Sequence, residues 1–350
     1  MKRIGLCLLA FAMLSALICA CAAPNRDGAA ATKAPEQSST TGEPEEMRTH
    51  DSSEEATAAP TLAPTASPAS EPTATPEPTA ALDSVAAFAD PTFEAVFREK
   101  YGFGDEPIYV ADILEFKELD LEKQNLRNIS DLAMFTNLTS LSLNRNYYIT
   151  DISAISNLTG LTELNLSYIH INNTSALSNL TDLIELDLSY NNITDIGGLS
   201  NLTNLTKLNL EYNRISDLSA LSNLTNLTDL YLRGNEISDL SALSNLTNLT
   251  ELRLYNIATT DLSALSNLTN LTALVLNHSK ISDLSVLSNL TNLTRLVLDE
   301  NEICDVTPLD GLTTLTYLYL AHNPLLPHSQ IDELQSHLPN CSIVISEDML

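Results

Sequence analysis

The chain has 350 residues, a formal net charge of −28 and no tryptophan. Such acidity argues against nucleic acid as a partner, because phosphate binding needs a basic stripe and none is visible. The average also conceals abrupt changes of composition, which divide the chain into an export signal, a linker and one repetitive domain.

Residues 1–20 carry Lys2 and Arg3, an apolar run from Ile4 to Ile18, and small residues before Cys21, which is the layout of an export signal. Its end, Ile18-Cys19-Ala20-Cys21, resembles the lipobox of bacterial lipoproteins. The resemblance implies cleavage before Cys21 and lipid on that residue; Cys19 is the weaker candidate because bulky Ile18 precedes it. An uncleaved anchor is the lesser alternative, since the apolar run falls short of the roughly 20 residues that span a bilayer. The expected product is exported, held to the bacterial cell membrane by lipid on Cys21, and faces the cell exterior.

Residues 21–83 are rich in Ala, Pro, Thr, Ser and Glu, as in Pro72-Thr-Ala-Thr-Pro-Glu-Pro78, with too few large apolar residues to form a core. A Pro-rich tether of about 60 residues reaches from roughly 45 Å as a coil to roughly 190 Å when extended. It suits a leash that lifts a domain off a membrane.

Residues 84–116 hold a helix signal. Asp90 and Pro91 stand in the N-cap and first-turn sense, Phe93, Phe97 and Tyr101 recur on one face, and Gly102 closes it. Residues 117–325 follow a period: Leu-x-Leu recurs from Leu119/Leu121 to Leu318/Leu320 in steps of 22 residues, with one step of 23 at Asn146-Tyr147-Tyr148-Ile149. Each unit matches L-x-x-L-x-L-x-x-N-x-I-x-D-L, complete in Leu205 to Leu218. The alternation gives one short parallel strand per repeat with its leucines turned inward. No repeat can bury that face alone, and cutting one inward Leu to Ala would cost about 2–5 kcal/mol.

The Asn of the pattern is expected to satisfy backbone groups at the bend after the strand. Its column reads Gln124, Asn146, Ile169, Asn191, Asn213, Asn235, Ile257, Ser279, Asn301 and Asn323, so local loosening is expected at Ile169 and Ile257. The Asp at positions 217, 239 and 283 reads as a cap on the following turn. Solenoid ends expose their cores, so the Phe93 helix is read as the first cap and residues 326–350 as the second. In the latter, Ser329 with Asp332 resembles a capping box, Ile331, Leu334 and Leu338 form an apolar stripe, Pro339 stops the helix, and Cys341 to Ile345 make a closing strand. Cys341 is expected inside and Cys304 outside, without a disulfide between them.

The 22-residue units, with Asp-Leu-Ser-Ala-Leu-Ser-Asn-Leu-Thr-Asn-Leu on the return side, resemble the internalin-type class of bacterial leucine-rich repeats, over about Ser84 to Leu350. The resemblance implies an α/β solenoid: a curved leucine-rich-repeat horseshoe with parallel strands on the concave face, short 3₁₀ turns on the convex face, helical caps, and ligand recognition by the concave face. Internalins that bind host receptors usually carry an Ig-like segment after the repeats, and many are attached to the wall by sortase. Here the repeats are followed by a short cap and preceded by a lipobox, so an invasion role is not implied.

Recognition is sought where repeats differ. The residue between the strand leucines runs Asp120, Ser142, Asn165, Asp187, Asn209, Tyr231, Arg253, Val275, Val297, Tyr319; two residues on, the column reads Glu122, Asn144, Ser167, Ser189, Glu211, Arg233, Tyr255, Asn277, Asp299, Ala321. Strands about 4.8 Å apart turn these columns into continuous stripes. Tyr168, Tyr190 and Tyr212 share one position in successive repeats and should stack, with Glu163, Glu185 and Asp187 flanking them on the strand side. Further along, Tyr231, Tyr255, Val275, Val297, Tyr317 and Tyr319 gather near Arg233, Arg253 and Arg295, the composition of binding hot spots. The competing reading is that Tyr merely suits strands.

These positions point to a protein or peptide ligand ahead of a cell-wall glycan, on which tyrosines also stack; a non-binding structural surface protein is the third reading. No Ser-His-Asp set, Cys-His pair, phosphate loop or HExxH helix is present, so no enzyme and no cofactor is expected. His278, Glu300 and His322 share a column beside Asp299, but they read first as solvated polar residues, and no metal site is assigned. The Asn-Leu-Thr triplets at Asn201 and Asn204 match the glycosylation pattern, yet arise from the repeat itself.

Overall fold

The structure, a computed structural model, describes residues 82–345. Cys21, the export signal and most of the linker lie outside the described residues. The chain first forms two helices, α1 (Pro91–Tyr101) and α2 (Val110–Glu115). It then lays down β1 (Glu118–Asp120), β2 (Ser140–Ser142), β3 (Glu163–Asn165), β4 (Glu185–Asp187), β5 (Lys207–Asn209), β6 (Asp229–Tyr231), β7 (Glu251–Tyr255), β8 (Ala273–Asn277), β9 (Arg295–Val297) and β10 (Tyr317–Tyr319). Helix α3 (His328–His337) and β11 (Ser342–Val344) close the domain. The strands form one parallel sheet in chain order, with Leu119 opposite Leu141, Leu141 opposite Leu164, and so on to Leu318 opposite Ile343. Short 3₁₀ turns such as Ser219–Leu221 and Ser241–Leu243 occupy the return side, which makes a curved leucine-rich-repeat solenoid.

The core is a column of the repeat's apolar positions. Leu208, Leu210, Ile215, Leu218, Leu221, Leu224 and Leu227 of a single coil are all buried, and the neighbouring coils bury the same set. The asparagine ladder is formed. Asn213 donates from Nδ2 to the carbonyls of Leu188 (3.0 Å) and Leu210 (3.1 Å), while its Oδ1 accepts the Ile193 N–H (3.0 Å). One amide thus ties two coils together where no water can reach.

Where Asn is missing, the coil adapts rather than opens. Ile169 and Ile257 are buried, and their N–H groups reach Asn191 Oδ1 (3.2 Å) and Ser279 Oγ (3.3 Å) in the next coil. At the second gap β7 and β8 each run to five residues. The extra residue of the 23-residue step is absorbed by extruding Tyr147 and Tyr148, both exposed, while Asn146 and Ile149 keep their buried places.

The recurring Asp accepts the N–H two residues on, as from Asp217 to Ser219 (2.8 Å) and Asp239 to Ser241 (2.8 Å), fixing the start of each turn. A second ladder runs down the return side, where Asn204 Nδ2 donates to Thr181 O (2.9 Å), Asn226 to Thr203 O (2.8 Å) and Asn248 to Thr225 O (2.9 Å). The amide of the Asn204 triplet is therefore engaged in holding coils together. Two successive coils depart from the pattern as a matched pair. Thr174 takes the place of a buried Leu, and Gly198 takes the place of the recurring Ala; the Gly198 N–H donates to Thr174 Oγ1 (3.1 Å), and a Cβ on Gly198 would collide with the Thr174 carbonyl.

At the first end Asp90 Oδ1 accepts the N–H groups of Thr92 (2.8 Å) and Phe93 (2.9 Å), Pro91 opens the helix, and Gly102 ends it at φ +77°. Phe93 and Phe97 pack on Phe135 of the first coil. Asp131, buried, accepts the N–H groups of Ala89 (2.7 Å) and Asp90 (2.9 Å), locking cap to coil. At the other end Leu334, Leu338 and Cys341 are buried and Ile331 packs on the core. Two expectations fail here. The helix opens at His328 behind Pro327, with no side-chain cap, so Ser329 already lies inside the first turn and the Ser329/Asp332 capping box does not form. Cys304 is half-buried rather than outside, and its carbonyl accepts Gln330 Nε2 (3.0 Å) from the closing helix.

Candidate functional site

Every coil leaves its strand through a residue in the left-handed region, shown by Arg145 (φ 60°), Tyr168 (58°), Tyr190 (55°), Tyr212 (53°), Gly234 (72°), His278 (57°) and Glu300 (55°). Because all coils bend alike, these side chains leave the sheet edge in parallel and stack. The Tyr168 and Tyr190 rings lie 4.2 Å apart at 8°, and the Tyr190 and Tyr212 rings 4.4 Å apart at 22°. The predicted ladder is real, but it does not stop where the third tyrosine does.

At the next coil the position is Gly234, because the Tyr212 ring lies over it: a Cβ there would come within 2.8 Å of Tyr212 Cδ1. Arg233 fills the step instead, its guanidinium 5.4 Å from the Tyr212 ring centre and 4.6 Å from that of Tyr255. Tyr255 then stacks on His278 (5.6 Å, 8°), and His278 Nδ1 meets Glu300 Oε2 at 2.8 Å. At the near end Arg145 lies 5.7 Å over Tyr168 and 3.7 Å from Glu122. The tyrosine ladder and two members of the second cluster, Arg233 and Tyr255, thus share one ridge from Glu122 to Glu300.

Beside this ridge lies the concave sheet itself. Tyr231, Arg253, Val275, Val297 and Tyr319 follow one another in strand register. Arg253 sits 4.5 Å over the Tyr231 ring and forks onto Glu251 through Nε (2.7 Å) and Nη2 (2.6 Å). The Tyr231 hydroxyl faces Glu251 Oε2 at 3.3 Å. Arg295 lies 5.6 Å over the Tyr319 ring, and Tyr317 is exposed. Val297 is a correction: wedged between Val275 and Tyr319 in adjacent strands, it is 6% exposed and offers no surface to a ligand.

The acidic residues are also placed differently. Glu163 and Glu185 begin their strands, whereas Tyr168 and Tyr190 follow the strand ends, so the carboxylates do not flank the ladder. With Asp187, Asn209 and Tyr231 they line a shallow trough of about 410 Å³, where Lys207 pairs with Glu185. Electrostatics follow burial. Burial pushes the Tyr231 hydroxyl up to about 12, helped by the charges of Glu251 and Asp229. Glu211 is raised by burial, against the pull of Arg253 and Arg233, and Asp299 is raised by burial as well. Among the described residues no three His, Cys, Asp or Glu side chains are grouped to hold a metal, and no helix is long and apolar enough to cross a membrane.

The geometry defines a class: a leucine-rich-repeat protein with a decorated concave sheet. A family model of leucine-rich repeats in two copies matches residues 181–223 and 225–267. Among solved structures, the chain is similar to the internalin InlF of Listeria monocytogenes, at 30% identity and TM-score 0.62, over 74% of this chain and 90% of that one. Internalin C2 of the same organism shares 33% identity over 65% of this chain and 92% of that one, with a TM-score of 0.49. A TDR receptor shares the fold at 22% identity and TM-score 0.57, over 68% of this chain and 44% of that one. No curated protein matches in sequence. The chain belongs to the internalin family of leucine-rich-repeat proteins.

Proposed function

We propose that this chain is an exported lipoprotein, anchored through Cys21, whose concave sheet binds a protein or peptide ligand and catalyses no reaction. The observation that carries the reading is the set of tyrosines already braced by arginines: Tyr231 under Arg253, Tyr255 under Arg233, and Tyr319 under Arg295. Side chains fixed before a partner arrives lose little entropy on binding, and Tyr with Arg is the composition of hot spots.

A glycan would stack on open ring faces. The faces of Tyr190 are covered by Tyr168 and Tyr212, and those of Tyr255 by Arg233 and His278, which favours a protein partner reading edges, hydroxyls and guanidiniums. The test is capture from cells by crosslinking of the intact lipoprotein, compared with a Tyr231→Ala, Tyr255→Ala, Tyr319→Ala variant of unchanged melting temperature. The reading expects a protein captured by the parent and lost by the variant; equal capture by both, or capture of glycan alone, contradicts it. The anchor is tested separately, since Cys21→Ala should abolish incorporation of labelled fatty acid.

A further inference from the structure

The stacked tyrosines hold more than ligand binding requires. Tyr168, Tyr190 and Tyr212 lie nearly parallel at 4.2 and 4.4 Å, closer than any other tyrosine pair among the described residues. Tyr147 meets Tyr168 edge-on at 6.4 Å, and Tyr255 has His278 rather than a tyrosine beside it. Tyr190 is 38% exposed, so a diffusible oxidant reaches it.

A phenoxyl radical carries its spin on oxygen and on the ring carbons beside it. In parallel rings about 4 Å apart, those carbons face their counterparts across one stacking distance. The rings sit on turn residues at the surface, where side-chain rotation is fast enough to close the gap.

We propose that this stack is a site of oxidative modification, at which a peroxide-driven one-electron oxidant joins neighbouring tyrosines into a dityrosine bond between successive coils. Each of two rings gives one electron to the oxidant and its phenolic proton to water. The two radicals form one carbon–carbon bond, and the hydrogens on the joined carbons shift to the oxygens, restoring two phenols. Hydrogen peroxide takes up the two electrons and two protons and leaves as two waters. The product adds a covalent staple between the exit turns of coils that otherwise pack through sheet pairing, amide ladders and a shared leucine core.

The test treats the full chain, dilute enough to remain monomeric, with hydrogen peroxide and a haem peroxidase. Dityrosine fluorescence should appear in the monomer, with a mass loss of two hydrogens. Peptide mapping should place the bond at Tyr168–Tyr190 or Tyr190–Tyr212; the latter joins peptides cut apart at Lys207. Tyr190→Phe should remove most of the monomer's dityrosine, whereas Tyr317→Phe, at the most exposed of the described tyrosines, should leave it unchanged. A bond mapped instead to Tyr147, Tyr148 or Tyr317, or dityrosine found mainly between molecules, would overturn the proposal. The wild-type map decides even if Tyr190→Phe folds poorly.

Discussion

Replacing Asn213 by Ala tests how the coils hold together. Asn213 is 7% exposed; its Nδ2 donates to Leu188 O, Leu210 O and Glu211 O, and its Oδ1 accepts the Ile193 N–H. Both leucine carbonyls keep a second amide donor, Asn191 Nδ2 on Leu188 O and Asn235 Nδ2 on Leu210 O, so the Ile193 N–H is the group left unpaired. Leaving that buried N–H unpaired costs roughly 1–3 kcal/mol, and a loss of about this size is expected of the change. Because coils contact only their neighbours, the damage should be local. Urea denaturation measures the total, and hydrogen exchange should show faster exchange at Ile193 than at Ile281, which relies on Asn301. The reverse change should behave differently. Ile257→Asn loses apolar burial but supplies the missing ladder amide, and should be near neutral. A cost below about 1 kcal/mol for Asn213→Ala, or equal costs for the two changes, would refute the ladder as the coil-to-coil tie.

Three other outcomes follow from the geometry. Gly234→Ala combines a left-handed backbone, which costs an L-residue roughly 1–2 kcal/mol, with a contact at 2.8 Å to the Tyr212 ring; it should lower stability and displace Tyr212, seen as altered tyrosine circular dichroism. Gly198→Ala drives a methyl into the Thr174 carbonyl and should lower the urea midpoint. Tyr190 should ionise at about 12, by ultraviolet titration, because burial and the neighbouring hydroxyls disfavour its phenolate. Its folded value lies above the unfolded one, so its contribution is intact below the ordinary tyrosine range and is lost as pH rises toward 12. Tyr190→Phe should therefore flatten the alkaline fall in melting temperature.

The period and the buried leucines were legible because a fixed 22-residue spacing admits one winding. The asparagine ladder was legible for the same reason, since a polar residue repeated inside a core must bond to backbone. The ridge was not. Tyr212 and Arg233 lie in different sequence columns, and only the ring seated over Gly234 shows that the stack steps from one to the other. The left-handed exit turn was hidden too, because its residues are mostly Tyr, Lys, Arg and His rather than the glycine that usually signals such backbone. Val297 shows the limit of alternation: an outward position can still be buried by its neighbours across the sheet.

The most direct test of concave recognition places a photoreactive side chain at Val275, in the middle of the braced tyrosines, and in parallel at Ser241 on a return-side turn. Irradiation of cells carrying the protein should yield an adduct with one protein from position 275 and none from position 241. An adduct from 241, or none from 275 when the parent protein still captures its partner, would place recognition elsewhere on the solenoid.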